Sequence, residues 1–147
     1  MEPTFHDGEY ILTDKISYRL GLPKRGDIVV FKSPGDANVD FIKRIVGLPG
    51  ERLKIKGGKV YINNQVLDES AYLDPSVYTG PESYLAENTE VTIPSGQYFC
   101  MGDNRTQSSD SRDFGPVTPD EFIGKVFFRY LPIDRFGLIR TSPYPLQ

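Results

Sequence analysis

The apolar runs of this chain are short, rich in Val, Ile, Phe and Tyr, and each is closed within a few residues by Gly, Pro or Asp. None sustains the three-and-four spacing of an amphipathic helix. That pattern restricts the chain to a mostly β fold built from antiparallel sheets, in which short strands turn back on themselves. With 147 residues the chain has the size of one ordinary domain and is long enough to bury a core. The expectation is a single domain over residues 1–147, with one irregular insertion at 68–90, where Tyr, Pro, Ser and Glu recur without period.

The runs predict a first strand over Gly8–Asp14 and a second over Ile28–Lys32, whose unbroken apolar character suits a strand covered on both faces. Between them Ile16–Leu22 is an ambiguous connection ending at Pro23. The turn Pro34-Gly35-Asp36 leads into a strand containing DFIKRIVG, which pairs with the second as an antiparallel hairpin. Arg52–Lys56 and Lys59–Ile62 flank Gly57-Gly58, a pair suited to the positive φ angles of a two-residue hairpin, and Asn63-Asn64 offers a second turn. Glu90–Pro94, Gln97–Met101 and Phe122–Leu131 complete the strands. Thr118-Pro119 reads as the start of a helix or turn, and a proline-rich tail follows Pro132.

Within the third run one residue is out of keeping with its neighbours. The two-residue period of a strand places Lys43 on the same face as Phe41 and Ile45, with Ile42, Arg44 and Val46 on the other. An ammonium held among large apolar groups loses hydration, which favours the neutral amine and makes a base of it. The alternative is a half-exposed strand whose lysine keeps its head in water.

Composition removes several functions. The net charge of −3, with Lys and Arg dispersed, gives no basic field for nucleic acid. One cysteine, Cys100, permits neither an intrachain disulfide nor a cysteine-based zinc site, and one histidine, His6, leaves little for histidine-dependent metal or triad chemistry. No metal and no cofactor is expected. No run approaches the roughly 20 apolar residues of a membrane span.

Four stretches, in order, carry a family resemblance: Met1–Phe5 (MEPTF), Arg25–Phe31 (RGDIVVF), Lys43–Glu51 (KRIVGLPGE) and Gly102–Gly115 (GDNRTQSSDSRDFG). Together they resemble type I signal peptidases, the membrane-bound Ser-Lys serine proteases that remove signal peptides from exported proteins. The resemblance implies a signal-peptidase-like fold with Lys43 as general base and Ser108 as the hydroxyl that orients it. It implies that Asp110 and Arg112 form an ion pair beneath the site and that Arg44 is the basic residue beside the lysine. Phe5, Ile11, Val30, Phe41 and Ile42, with Met1 beside them, fall at positions like those lining shallow substrate pockets.

The residue types suit this chemistry. A serine hydroxyl is a weak nucleophile until a base takes its proton, and a neutral lysine in a dry site can do so without histidine. A hydroxyl from Ser108 orients the amine without the opposite charge of a carboxylate, which would favour the ammonium. An extended substrate lying along the lysine strand turns its residues at −1 and −3 from the cut to one face, so shallow pockets narrowed by Phe5 and Phe41 select small-x-small sequences.

One element of the family pattern lies outside the 147 residues: the nucleophilic serine, expected immediately before Met1. The chain as given is therefore expected to be inactive and soluble by itself. The family places the parent enzyme in a membrane, with its catalytic domain on the trans side and signal peptides of exported preproteins as partners. Two rivals remain: a self-cleaving-repressor-like Ser-Lys domain, and a β-rich module that binds extended peptides without cutting them.

Overall fold

The structure is a computed structural model and describes residues 1–16, 18 and 21–139. Among these residues ten strands form two antiparallel sheets. They are β1 (Tyr10–Asp14), β2 (Ile28–Ser33), β3 (Asp36–Gly47), β4 (Arg52–Lys56), β5 (Lys59–Ile62), β6 (Gln65–Val66), β7 (Val91–Thr92), β8 (Phe99–Met101), β9 (Phe122–Leu131) and β10 (Gly137–Leu138). The first sheet runs β1-β9-β2-β3-β8, with β10 added to β9; the second runs β6-β5-β4-β7. A short α-helical turn, α1 (Ser111–Phe114), is capped by Asp110, whose side chain accepts from the Arg112 amide.

The two-sided apolar run of β2 explains the layering of the first sheet. Val29 and Phe31 enter a cluster with Ile45, Tyr98, Cys100 and Val117, whereas Ile28 and Val30 join Phe5, Ile11, Ile42 and Val126 on the opposite face. The β2–β3 register pairs Val29 with Lys43 and Phe31 with Phe41, so Phe41, Lys43 and Ile45 share the first of these faces. β3 is longer than the sequence pattern predicts, because the exposed stretch Asp36–Asp40 stays in the ladder through Asp36 and Asp40, which pair with Ser33 and Lys32 of β2. On its other edge β3 meets β8 only from Arg44 to Gly47. Its first eight residues therefore have a strand on one side only among the described residues.

The second sheet rests on plain alternation. Leu53, Ile55, Val60 and Ile62 point inward, with Lys54, Lys56, Lys59 and Tyr61 outward. Gly57 (φ 58°) and Gly58 (φ 76°) make the β4–β5 turn, and Asn63 (φ 50°) and Asn64 (φ 69°) the β5–β6 turn, the two asparagines accepting a left-handed backbone where glycine is the usual choice. The two expected strands around Ser95-Gly96 separate: β7 pairs with β4 and β8 with β3, so this short stretch passes the chain between sheets.

Residues 68–90 hold no helix and no named strand, yet the segment is tied down. Leu73, Thr79 and Leu85 are buried, Thr79 donates its amide to Gly58, Asn88 to Ile55, and Tyr84 and Leu85 both to the Arg112 carbonyl. Part of the Ile16–Leu22 connection and the end of the proline-rich tail lie outside the described residues. The first part of that tail forms a 3₁₀ turn at Ile133–Arg135 and β10.

Candidate active site

Lys43 and Arg44 are neighbours on β3 and point to opposite faces of the sheet, and the polar loop that follows β8 straddles the strand edge to meet both. On one side Lys43 Nζ lies 2.9 Å from Ser108 Oγ. The same nitrogen sits 4.7 Å from the centre of the Phe41 ring. On the other side the Arg44 guanidinium donates from Nε and Nη2 to the two carboxylate oxygens of Asp103, at 2.9 and 2.7 Å, with further bonds to the Gly26 carbonyl and the Thr4 hydroxyl. Thr4 in turn donates to Asp103.

The environment of Lys43 decides its protonation. Burial pushes its pKa down from the ordinary lysine value, with the positive charge of Arg112 acting in the same direction and Asp110 against both. A ring face attracts an ammonium, but that contribution is roughly 0.5–2 kcal/mol and does not overcome desolvation here. The nearby carboxylates are engaged by guanidinium groups: Asp110 with Arg112 at 2.8 Å, both fully buried, and Asp103 with Arg44. Their charge is thus largely cancelled before it reaches the amine.

Gly102 permits this arrangement. A Cβ placed there would lie 2.0 Å from Ser108 Oγ and 3.6 Å from Lys43 Nζ. Its amide donates to Asp110 Oδ2 at 3.0 Å, and its carbonyl accepts from Arg105 Nε at 3.0 Å. Arg112 reaches past Asp110 to the carbonyls of Arg105 (2.9 Å) and Gly80 (3.0 Å), pinning the loop from beneath.

Of the residues singled out in the sequence, Lys43 and Ser108 meet, Asp110 and Arg112 pair, and Arg44 stands beside the lysine on the reverse face. Met1, Phe5, Ile11 and Ile42 line one cavity of about 500 Å³, together with Asn104 and Gln107 from the polar loop. Val30 packs in the cluster behind it. Phe41 does not join that cavity: the strand period turns it to the Lys43 face, where it stacks with Phe114 and meets Phe31 edge-on. The residues that lock the loop, Gly102 through its main chain and Asp103 and Arg105 through their side chains, lie inside the GDNR run, which gives them no separate role. Thr4, inside MEPTF, had no role of its own there, and Glu69 and Tyr72, which complete the contacts, had no signal in the sequence.

Comparison with known proteins gives this geometry its context. The signal peptidase family, peptidase S26, matches residues 1–131. A probable signal peptidase I-2 of Synechocystis is 41% identical over 145 residues, covering 95% of this chain and 62% of that protein. Signal peptidase IB of Staphylococcus aureus is 35% identical over 147 residues, covering 92% of this chain and 75% of that protein. The chain thus spans less than two thirds of the length of the cyanobacterial relative. The crystal structure of a signal peptidase I from Enterococcus faecalis V583 superposes with a TM-score of 0.55 at 30% identity, over 71% of this chain and 97% of that one. A half-buried lysine facing a serine at the edge of an antiparallel sheet therefore occurs here in a chain that belongs to the signal peptidase family of serine proteases, peptidase S26.

Proposed function

We propose that these residues form the base half of a Ser-Lys endopeptidase that removes signal peptides after small-x-small sites. The observation that carries the reading is the 2.9 Å contact between Lys43 Nζ and Ser108 Oγ in a site where burial depresses the lysine. Lys43 takes the proton of the attacking serine and then returns it to the leaving amine, while Ser108 holds the amine in line. Arg44, Asp110 and Arg112 keep the strand and loop in place without touching the substrate.

The nucleophile is assigned to the position immediately before Met1. Support comes from the Met1 amino group, which burial and then the Lys43 charge hold below its usual pKa, so that the chain at Met1 lies within electrostatic reach of the base. The unpaired edge of β3 over Asp36–Lys43 suits an extended substrate, and the cavity of Met1, Phe5, Ile11 and Ile42 gives it an apolar pocket. Val30 backs that pocket, and Phe41 acts as the dry wall of the base. Among the described residues no helix is long and apolar enough to cross a membrane. In the parent enzyme the catalytic domain is assigned to the trans side of a membrane, where exported preproteins emerge.

The test compares the 147-residue chain with one carrying a serine directly ahead of Met1, using a synthetic signal-peptide substrate with Ala at −1 and −3. Turnover only by the serine-bearing chain, abolished by Leu at −1, is the expected result. Turnover by the 147 residues alone would refute the assignment of the nucleophile. A purely peptide-binding module would bind the substrate and leave it intact in both chains.

A further inference from the structure

The four stretches that resemble the family omit residues 68–90, yet this segment grips the loop that carries Ser108. Arg105 is 2% exposed, and every nitrogen of its guanidinium is engaged. Nε donates to the Gly102 carbonyl at 3.0 Å. Nη1 donates to Glu69 Oε2 at 3.0 Å and to Thr79 Oγ1 at 2.9 Å, and Nη2 donates to Glu69 Oε1 and to the Tyr72 hydroxyl. The two-point grip of Glu69 fixes the plane of the guanidinium, and that plane aims Nε at Gly102.

Gly102 passes any displacement onward. Its main chain lies so close to Ser108 that no Cβ fits between them. A guanidinium free to turn would release the Gly102 carbonyl, and the Ser108 hydroxyl would lose the wall that sets its distance from Lys43. Tyr72 steadies the arrangement from the other side. Its hydroxyl donates to Glu69, and its ring centre stands 4.1 Å from the Arg44 guanidinium carbon. One short stretch therefore touches the guanidinium groups of both Arg105 and Arg44.

We propose that Glu69 is a positioning residue for peptide-bond cleavage: through Arg105 and the Gly102 carbonyl it sets the Ser108 hydroxyl against the Lys43 amine. The proposal rests on the reading of Lys43 as general base. Glu69→Gln keeps the volume and one strong acceptor but removes the charge and the second acceptor, so the two-point grip on the Arg105 plane is lost and only the weaker Thr79 and Tyr72 hydroxyls help to hold it.

The assay uses the chain bearing a serine ahead of Met1, and the titration uses the 147-residue chain with its lysine side chains observed by NMR. For Glu69→Gln, kcat falls on the order of 10-fold with KM within about a factor of two, the pattern of a lost positioning contact. The Lys43 titration midpoint moves up toward the ordinary lysine value as water reaches the amine. A role in stability alone would lower the melting temperature and leave both readouts where they were.

Because Glu69→Gln leaves Arg105 short of countercharge, a second variant combines Glu69→Leu with Arg105→Met. Removing both members of a buried pair in favour of apolar groups commonly preserves stability. It should show the same loss of kcat and the same upward midpoint. Either variant folding with parental kcat and a parental Lys43 midpoint overturns the proposal. Cleavage by Lys43→Met would instead overturn the general-base reading, so the two failures are distinguishable.

Discussion

Lys43 is held in a state that costs the fold and suits the base role proposed for it. Burial depresses its pKa, so the unfolded chain binds the proton more tightly than the folded one. Stability then rises with pH between the folded value and the unfolded value of about 10.4, and the full cost is felt below the folded value. Lys43→Met should therefore abolish turnover and raise the melting temperature at neutral pH, with the gain shrinking as pH approaches about 10.4; calorimetry across that range reads it. In the serine-bearing chain the alkaline rise of kcat should fall below the ordinary lysine value, and its loss in Ser108→Ala would be seen as a smaller kcat on the same substrate. Gly102→Ala is the sharper geometric probe. Its Cβ would stand 2.0 Å from Ser108 Oγ, so the hydroxyl must move, and a shift of about 1 Å is enough for roughly 100-fold in kcat. Circular dichroism of this variant should match the parent.

At the scale of elements, the loop after β8 owes its shape to buried ion pairs rather than to a regular ladder. Asp110 caps α1, accepts from the Gly102 amide and pairs with Arg112, all within a fully buried space. Asp110→Ala leaves Arg112 as an uncompensated buried charge and should lower stability by about 3–5 kcal/mol, measured as a shift in the urea midpoint. Local sequence carries part of this. The alternation in Arg52–Lys56 and Lys59–Ile62, and the Gly57-Gly58 turn, fix the second sheet because one face is dry and the other wet. The face assignment of Lys43 follows from the same period. The exposed first half of β3 escaped the pattern, since pairing with β2 holds polar residues there that apolar periodicity does not mark. Phe41 and Phe5 were expected to narrow the same pockets, but odd and even positions on β3 face opposite ways, and only Ile42 shares the side of Phe5. Glu69 and Tyr72 were invisible because their partners, Arg105 and Arg44, are more than 25 residues away and meet them only through the path of the intervening chain.

Over the whole molecule, the two sheets divide the work. The catalytic candidates ride on β3 and the loop beside it, while the second sheet packs Leu53, Ile55, Val60 and Ile62, with Leu85, against Val46, Phe99 and Met101 from the reverse of β3 and β8. The junction is tight: a Cβ on Gly47 would meet Ile93 Cδ1 at 2.3 Å and Phe99 Cβ at 3.0 Å. Leu53→Ala or Ile62→Ala should cost about 2–5 kcal/mol of stability through the cavity each leaves, while kcat per folded molecule stays near the parent value. A loss of kcat larger than the loss of folded protein would show that the second sheet tunes the dyad as well as supporting it. The strand β8, at the β3 end of the first sheet, offers a way to watch that sheet open. Cys100 is fully buried there, burial pushes its thiol pKa up, and it is the only cysteine in the chain. An alkylating reagent cannot reach it while β8 lies against β3, so the rate of modification under native conditions is a clock for the breathing of the strand pair that carries Lys43.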